Sequence, residues 1–203
     1  DTVSVSDLTG DAKAAIDFLR ARKDVNKDDI LVLGHSEGGI YTASLIEAGV
    51  PIAFAVGMAA PATNGVDLMV AQNGAIVRSN GASDAEVELA EAFARTVYTA
   101  FLADDPTTAD ATATAYFGDY WDRQTDELKA ALGDRAAFVT QQVERLTATV
   151  SSAWFTDLLR SDAGIGWAKA EMPVLGVFGG KDIQVLAAQN APLLEAALAG
   201  RNP

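Results

Sequence analysis

The sequence predicts an α/β protein in which helices flank a parallel sheet and a helical cap insertion interrupts the core. Three observations favour this fold class. Two short apolar runs, residues 30–33 and 52–56, alternate with helical patterns near the start of the chain. A long helical stretch without strand-like runs follows, and a third apolar run appears at residues 173–178. Alternating helix and strand patterns are typical of parallel sheets, because a parallel connection needs a crossover helix.

The first predicted segment, residues 1–65, forms the core around the first two strands. Apolar residues at helical spacing predict an amphipathic helix over residues 7–22. The run 30–33 is short, branched and apolar, which predicts a strand buried on both faces. A helix of small residues is expected at 39–49, and the strand at 52–56 follows it.

The second predicted segment, residues 66–150, is a helical cap. No strand-like runs alternate with its helical patterns, so we interpret it as a cap over the sheet edge rather than as ordinary sheet-flanking helices. The stretch 103–110 is polar and contains Pro106, which predicts a linker. Helices are expected at residues 86–102, 124–132 and 136–146.

The third predicted segment, residues 151–203, returns to the core. A helix is expected at 152–160, before the strand at 173–178. The turn Gly180-Lys181-Asp182 follows that strand, and a further helix is expected at 186–198.

The most informative residues are Gly34-His35-Ser36-Glu37-Gly38, which lie between the first strand and its helix. They read as G-x-S-x-G, and this context is the one that a nucleophile elbow requires. Such a turn lifts the Ser36 hydroxyl clear of the sheet and leaves the Glu37 N–H free to stabilise an oxyanion. Glycines on either side would let neighbouring backbone pass without a Cβ clash. The alternative is a glycine-rich turn that binds a phosphate or nothing.

A serine nucleophile needs a base, and the base needs an acid that orients it. Asp182 is the strongest candidate acid, since it lies in a loop directly after an apolar strand; Asp162 and Asp134 are weaker candidates. The sequence has one histidine, His35, next to the nucleophile. Adjacent side chains diverge in an elbow, so His35 is expected to pack or hydrogen-bond beside the sheet rather than to deprotonate Ser36. The base is therefore expected from beyond residue 203, or the chain is not a hydrolase as it stands.

The elbow, the helix start at residues 7–12, the stretch 151–155 and the strand and turn over 173–185 resemble bacterial α/β-hydrolases of the serine esterase kind. These are acyl hydrolases related to the dienelactone-hydrolase and prolyl-oligopeptidase groups. The resemblance implies a partial α/β-hydrolase fold and ester hydrolysis through an acyl-enzyme on Ser36. It further implies Glu37 as one oxyanion donor, Asp182 as the acid, and no metal or organic cofactor. Relatives carry their histidine after one further strand and a second oxyanion donor in an earlier loop.

Composition narrows the classes of partner. A net charge of −13 disfavours nucleic acid and anionic membranes. The absence of cysteine excludes disulfides, thiolate metal sites and a cysteine nucleophile. We therefore expect a small-molecule ester or acyl substrate, and we expect no nucleic acid or membrane as partner. Because Asp1 is not Met and no signal-peptide pattern is present, we expect a piece of a longer protein, whose compartment stays open.

Two further residues are candidate substrate contacts. Met58 lies in the loop after the second strand, and Trp154 lies where the cap returns to the core. Two alternative functions remain open. One is a serine aminopeptidase or oligopeptidase of the same fold, which would need a pocket for a substrate amine. The other is a non-catalytic, hydrolase-like binding protein.

Overall fold

A three-stranded parallel sheet lies at the centre of the computed structural model, which describes residues 2–199. Asp1 and residues 200–203, at the ends of the predicted segments, lie outside the described residues. The strands β1 (Leu31–His35), β2 (Phe54–Met58) and β3 (Val174–Val177) are adjacent in that order. Leu33 lies opposite Val56, which lies opposite Leu175. A parallel sheet with flanking helices is therefore present, as predicted, with the first two strands one or two residues later than expected.

Ten helices surround the sheet within residues 2–199. Seven of them lie between β2 and β3, so the described residues 59–173 add no strand to the sheet, as the sequence predicts. None of the helices in the described range combines the length and apolar character needed to cross a bilayer. The helices are α1 (Val5–Ala21), α2 (Glu37–Glu47), α3 (Gly65–Ser79), α4 (Asp84–Leu102), α5 (Pro106–Asp122), α6 (Asp126–Leu132), α7 (Arg135–Val150), α8 (Ala153–Arg160), α9 (Ala163–Ala168) and α10 (Ala187–Leu198).

The two faces of the sheet differ in burial. On one face Val32, Ala55 and Val174 are buried or half-buried. On the other face Leu31 and Leu33 are 53% and 55% exposed, and their neighbours on β3 are exposed too. The prediction that the first strand is buried on both faces is therefore wrong for the described chain. An apolar strand sequence shows that both faces are suited to burial, but it does not show which elements cover them.

The predicted linker at residues 103–110 is present only at 103–105, because α5 begins at Pro106. A proline at the first position of a helix loses no hydrogen bond, since the first N–H groups have no partner within the helix. The Asp105 side chain caps this helix and accepts a hydrogen bond from the Thr108 N–H, at 3.1 Å. The proline thus marks the start of a helix and not a break between helices.

Two buried side chains fix the loop that follows β2. Trp167 of α9 is fully buried, and its Nε1–H donates to the Pro61 carbonyl at 2.8 Å. Asn190 of α10 is also fully buried, and its Oδ1 accepts from the Ala62 N–H at 2.9 Å. Buried polar groups that are paired in this way hold a single backbone conformation. The loop therefore has a fixed place beside the start of α2.

Helix α8 connects the helical insertion to the first two helices of the chain. Its Phe155, Leu158 and Leu159 are buried in the core. Its Asp157 carboxylate accepts hydrogen bonds from the N–H and the hydroxyl of Ser6 in the first turn of α1, both at 2.8 Å. A carboxylate at a helix N-terminus also interacts favourably with the helix dipole. These contacts set the position of α8 against α1.

Candidate active site

Ser36 lies at the sharp turn between β1 and α2. Its φ of 53° and ψ of −121° place it in a region that residues with a side chain rarely adopt. Such a conformation costs about 1–3 kcal/mol and persists only where the surroundings impose it. Here the Ser36 N–H donates to the Met58 carbonyl at 2.9 Å, and its carbonyl accepts from the Gly39 N–H at 2.8 Å. The last residue of β2 and the first turn of α2 thus hold the strained residue.

Close packing at this turn requires glycine at Gly34 and Gly39, whereas the motif has its glycines at Gly34 and Gly38. A Cβ added at Gly34 would lie 2.3 Å from the Gly38 carbonyl oxygen. A Cβ at Gly39 would lie 2.5 Å from the Ala60 Cβ, whereas a Cβ at Gly38 would meet nothing within 4 Å. The expectation of crowding on both sides of Ser36 therefore holds for Gly34 and is wrong for Gly38. The crowded position downstream is Gly39.

Two polar groups of the turn, the Ser36 hydroxyl and the Glu37 N–H, make no hydrogen bond with the described residues. Although Ser36 is the N-cap residue of α2, its side chain makes no capping hydrogen bond. The backbone N–H of Glu37 makes no hydrogen bond with any other residue between 2 and 199. This N–H lies at the positive end of the helix, where negative charge is stabilised. A hydroxyl and a free N–H are thus adjacent at the start of α2.

A cavity of about 180 Å³ opens beside Ser36. Helices α3 and α8 and the loop after β3 supply most of its walls, which are largely apolar. A larger cavity of about 480 Å³, between α3, α4 and α5, shares no lining residue with it. The lining residues beside Ser36 are Glu37, Ile40, Pro61, Leu68, Met69, Gln72, Trp154, Leu158, Gln184 and Val185.

The Glu37 carboxylate, which lines this cavity, is hydrogen-bonded to Trp154 and interacts with Tyr41 one turn along α2. The Trp154 Nε1–H donates to the Glu37 Oε1, which joins α8 to α2. Burial, together with a hydrogen bond to the Glu37 carboxylate, raises the pKa of Tyr41 well above its usual value. Trp154 also lines the cavity. Its hydrogen bond with Glu37 joins residues 117 positions apart in the sequence, and no local sequence pattern indicates it.

Asp182 lies in a loop next to the cavity. Its Oδ1 accepts hydrogen bonds from the N–H groups of Gln184 and Val185, at 2.8 and 3.1 Å, and both of these residues line the cavity. Its Oδ2 makes no hydrogen bond with the described residues. The two weaker candidates, Asp162 and Asp134, cap α9 and α7, and neither lines the cavity. Of the three carboxylates, only Asp182 is hydrogen-bonded to residues that line the Ser36 cavity.

His35 and Met58 lie opposite each other at the ends of β1 and β2. Both side chains are on the exposed face of the sheet, and neither lines the Ser36 cavity. The His35 side chain is exposed and makes no hydrogen bond with the described residues, so it lacks a polar partner that would orient it as a base. The part of Met58 that reaches the candidate site is its carbonyl, which accepts from the Ser36 N–H.

No group of three or more carboxylate or histidine side chains within residues 2–199 is arranged to hold a metal ion. The candidate site consists of the Ser36 hydroxyl, the Glu37 N–H and carboxylate, Trp154 and the Asp182 loop. Comparison of the chain with protein-family models, with curated proteins and with solved structures found no match.

Proposed function

We propose that this chain carries the nucleophile and the acid of a serine hydrolase that cleaves carboxylic esters through an acyl-enzyme on Ser36. The observation that carries the proposal is the conformation of Ser36. It is strained, it is held by β2 and α2, and its hydroxyl borders a cavity without capping its own helix. A serine that only caps the start of a helix does not require a strained backbone or a free hydroxyl.

The remaining groups fit the roles that the chemistry requires. The Glu37 N–H would donate to the oxyanion that forms when the hydroxyl attacks a carbonyl carbon. Asp182 has one oxygen anchored by two N–H groups and a second oxygen left for a base. In a triad the acid holds the imidazole in the correct tautomer and stabilises the imidazolium.

The proposal requires a histidine that residues 1–203 do not supply. His35 is on the opposite, exposed face of the sheet. We therefore expect little turnover from these residues alone, because loss of one member of a triad costs about 10⁴-fold or more in rate. Free imidazole, which is small enough for the cavity beside Ser36, can replace the missing base in a test.

The test is phosphonylation of Ser36 by an alkyl fluorophosphonate, with and without imidazole. Imidazole would take the hydroxyl proton, the Ser36 Oγ–P bond would form, and the P–F bond would break with loss of fluoride. Peptide mass spectrometry should find the adduct on Ser36 with imidazole at least about tenfold above the level without it. Asp182→Asn should reduce this gain, and Ser152→Ala, at a neighbouring helix start, should leave it unchanged. Equal labelling of a Ser36→Ala variant, or no gain with imidazole, would refute the proposal.

A further inference from the structure

The cavity beside Ser36 has one charged side chain, Glu37, among its lining residues. Its remaining walls are apolar, apart from the neutral side chains of Gln72 and Gln184 and the polar edges of Ser36 and Trp154. A charged group in such surroundings is stable only when it is paired or well hydrogen-bonded. The partners of Glu37 are therefore informative about what the cavity is suited to bind.

The fold supplies a hydrogen bond to Glu37 but no positive charge. The donor is the neutral Trp154 Nε1–H, and the Tyr41 hydroxyl that interacts with the same carboxylate is neutral too. The seven ion pairs among the described residues do not include Glu37. Nearby Asp67 differs, because Arg95 contacts its carboxylate at 2.7 Å. Since a carboxylate has about four acceptor positions, Glu37 keeps capacity for a further donor.

The position of this carboxylate relative to the nucleophile limits where a ligand's charge would lie. Glu37 follows Ser36 in the chain, and its own N–H is the expected oxyanion donor. A substrate whose carbonyl lies at that N–H would bring groups only a few bonds away close to the same residue's carboxylate. An unpaired carboxylate beside a developing oxyanion would repel it, and a cation bound to the carboxylate would remove that repulsion.

We infer that the Ser36 cavity selects substrates with an ammonium group a few bonds from the scissile carbonyl, and that Glu37 is the residue that recognises it. The substrate class is then amino-substituted acyl esters or amides. The inference rests on the proposed function for its reaction, but the binding preference is measurable without any turnover.

The experiment compares two probes of one shape, benzylammonium and benzyl alcohol, both small enough for a cavity of about 180 Å³. Binding is followed through the indole N–H resonance of Trp154 in a ¹⁵N-labelled protein, assigned with Trp154→Phe. We expect benzylammonium to bind at least about tenfold more tightly than the alcohol, because a charge-assisted hydrogen bond is roughly twice as strong as a neutral one. Glu37→Gln keeps an acceptor for Trp154 and should reduce the preference to about twofold or less.

Glu47→Gln is the matched control. Glu47 is on the same helix and pairs with Lys169 at 2.8 Å, but it does not line the cavity. This substitution alters the net charge as Glu37→Gln does, and it should leave the preference unchanged. Equal binding of the two probes, or a preference that survives Glu37→Gln, would overturn the inference.

A second measurement needs no variant, in case Glu37→Gln does not fold. Raising the salt concentration from 20 to 500 mM should weaken benzylammonium binding several-fold and leave benzyl alcohol binding unchanged, since salt screens ionic contacts. An equal response of both probes would contradict a role for the carboxylate. Imidazole-dependent labelling of Ser36 without amine preference would reject this inference alone, whereas amine preference without labelling would reject the proposed reaction alone.

Discussion

Ser36 and Ser152 are both N-cap residues, of α2 and α8, but they differ in backbone conformation and in the use of their hydroxyls. Ser152 has an extended backbone, with φ of −66°, and its hydroxyl accepts from the Phe155 N–H at 3.2 Å. Ser36 has φ of 53° and caps nothing. Ser152 therefore stabilises its helix, whereas Ser36 is held in a strained conformation with its hydroxyl unused. This difference is the one that the proposed role of Ser36 as a nucleophile requires.

The largest expected effect comes from the glycine that makes the turn at Ser36 possible. In Gly34→Ala the new Cβ would lie 2.3 Å from the Gly38 carbonyl oxygen, a backbone atom that cannot rotate away. We expect the free energy of unfolding to fall by about 3 kcal/mol, at the upper end for an overpacked site. Urea denaturation followed by circular dichroism measures this change.

Gly38→Ala is the matched control, because its Cβ would meet nothing within 4 Å. Alanine is the better helix former, so this variant should be as stable as the original or up to about 1 kcal/mol more stable. Equal destabilisation by both substitutions would show that the turn is not packed as described. The two variants thus separate the glycine that is required by geometry from the glycine that only completes the motif.

The next effect compares the two serines directly. Ser152→Ala removes a capping hydrogen bond and should lower the free energy of unfolding by about 1 kcal/mol. Ser36→Ala removes no cap and leaves the strain in place, so it should change stability by less than about 0.5 kcal/mol. Ser36→Gly should raise stability by about 1 kcal/mol, because glycine adopts this backbone conformation without strain. Thermal or urea unfolding of the three variants tests the order, and a loss of stability in Ser36→Gly would contradict the strain.

The sequence alone predicts the features that depend on short local patterns, and it misses those that depend on packing. The parallel strands and the turn at Ser36 were accessible because each depends on a short run of residues with a distinct pattern. Helix α5 was missed because Pro106 suggests a break unless the Asp105 cap before it is recognised. The exposure of Leu31 and Leu33 could not be predicted, since it depends on which elements cover the sheet.

The candidate site also has residues that local motifs predict and contacts that only the packed structure shows. Ser36 and Asp182 were found from local motifs, and the structure brings the loop of Asp182 to the edge of the Ser36 cavity. The pairing of Glu37 with Trp154 depends on the packing of α8 against α2, which no single segment encodes. Likewise, the sequence names two glycines around Ser36, but only the packed structure shows that Gly39 rather than Gly38 lacks room for a side chain.

The last prediction concerns Tyr41 of α2, whose hydroxyl interacts with the Glu37 carboxylate. Burial, and then the bond to Glu37, raise the pKa of Tyr41 in the folded protein. The folded state therefore holds the phenol proton more tightly than the unfolded chain, in which tyrosine titrates near pH 10. This contribution to stability is complete below about pH 10 and is lost as the pH rises above that value.

Urea denaturation at pH 8 and pH 11 measures this contribution. Between these two pH values the free energy of unfolding of the original protein should fall by about 1 kcal/mol more than that of Tyr41→Phe, allowing for the partial exposure of the ring. Glu37→Gln removes the charged acceptor but not the burial, so its loss should lie between the two. Identical pH dependence in all three proteins would mean that the Tyr41 hydroxyl does not interact with the Glu37 carboxylate.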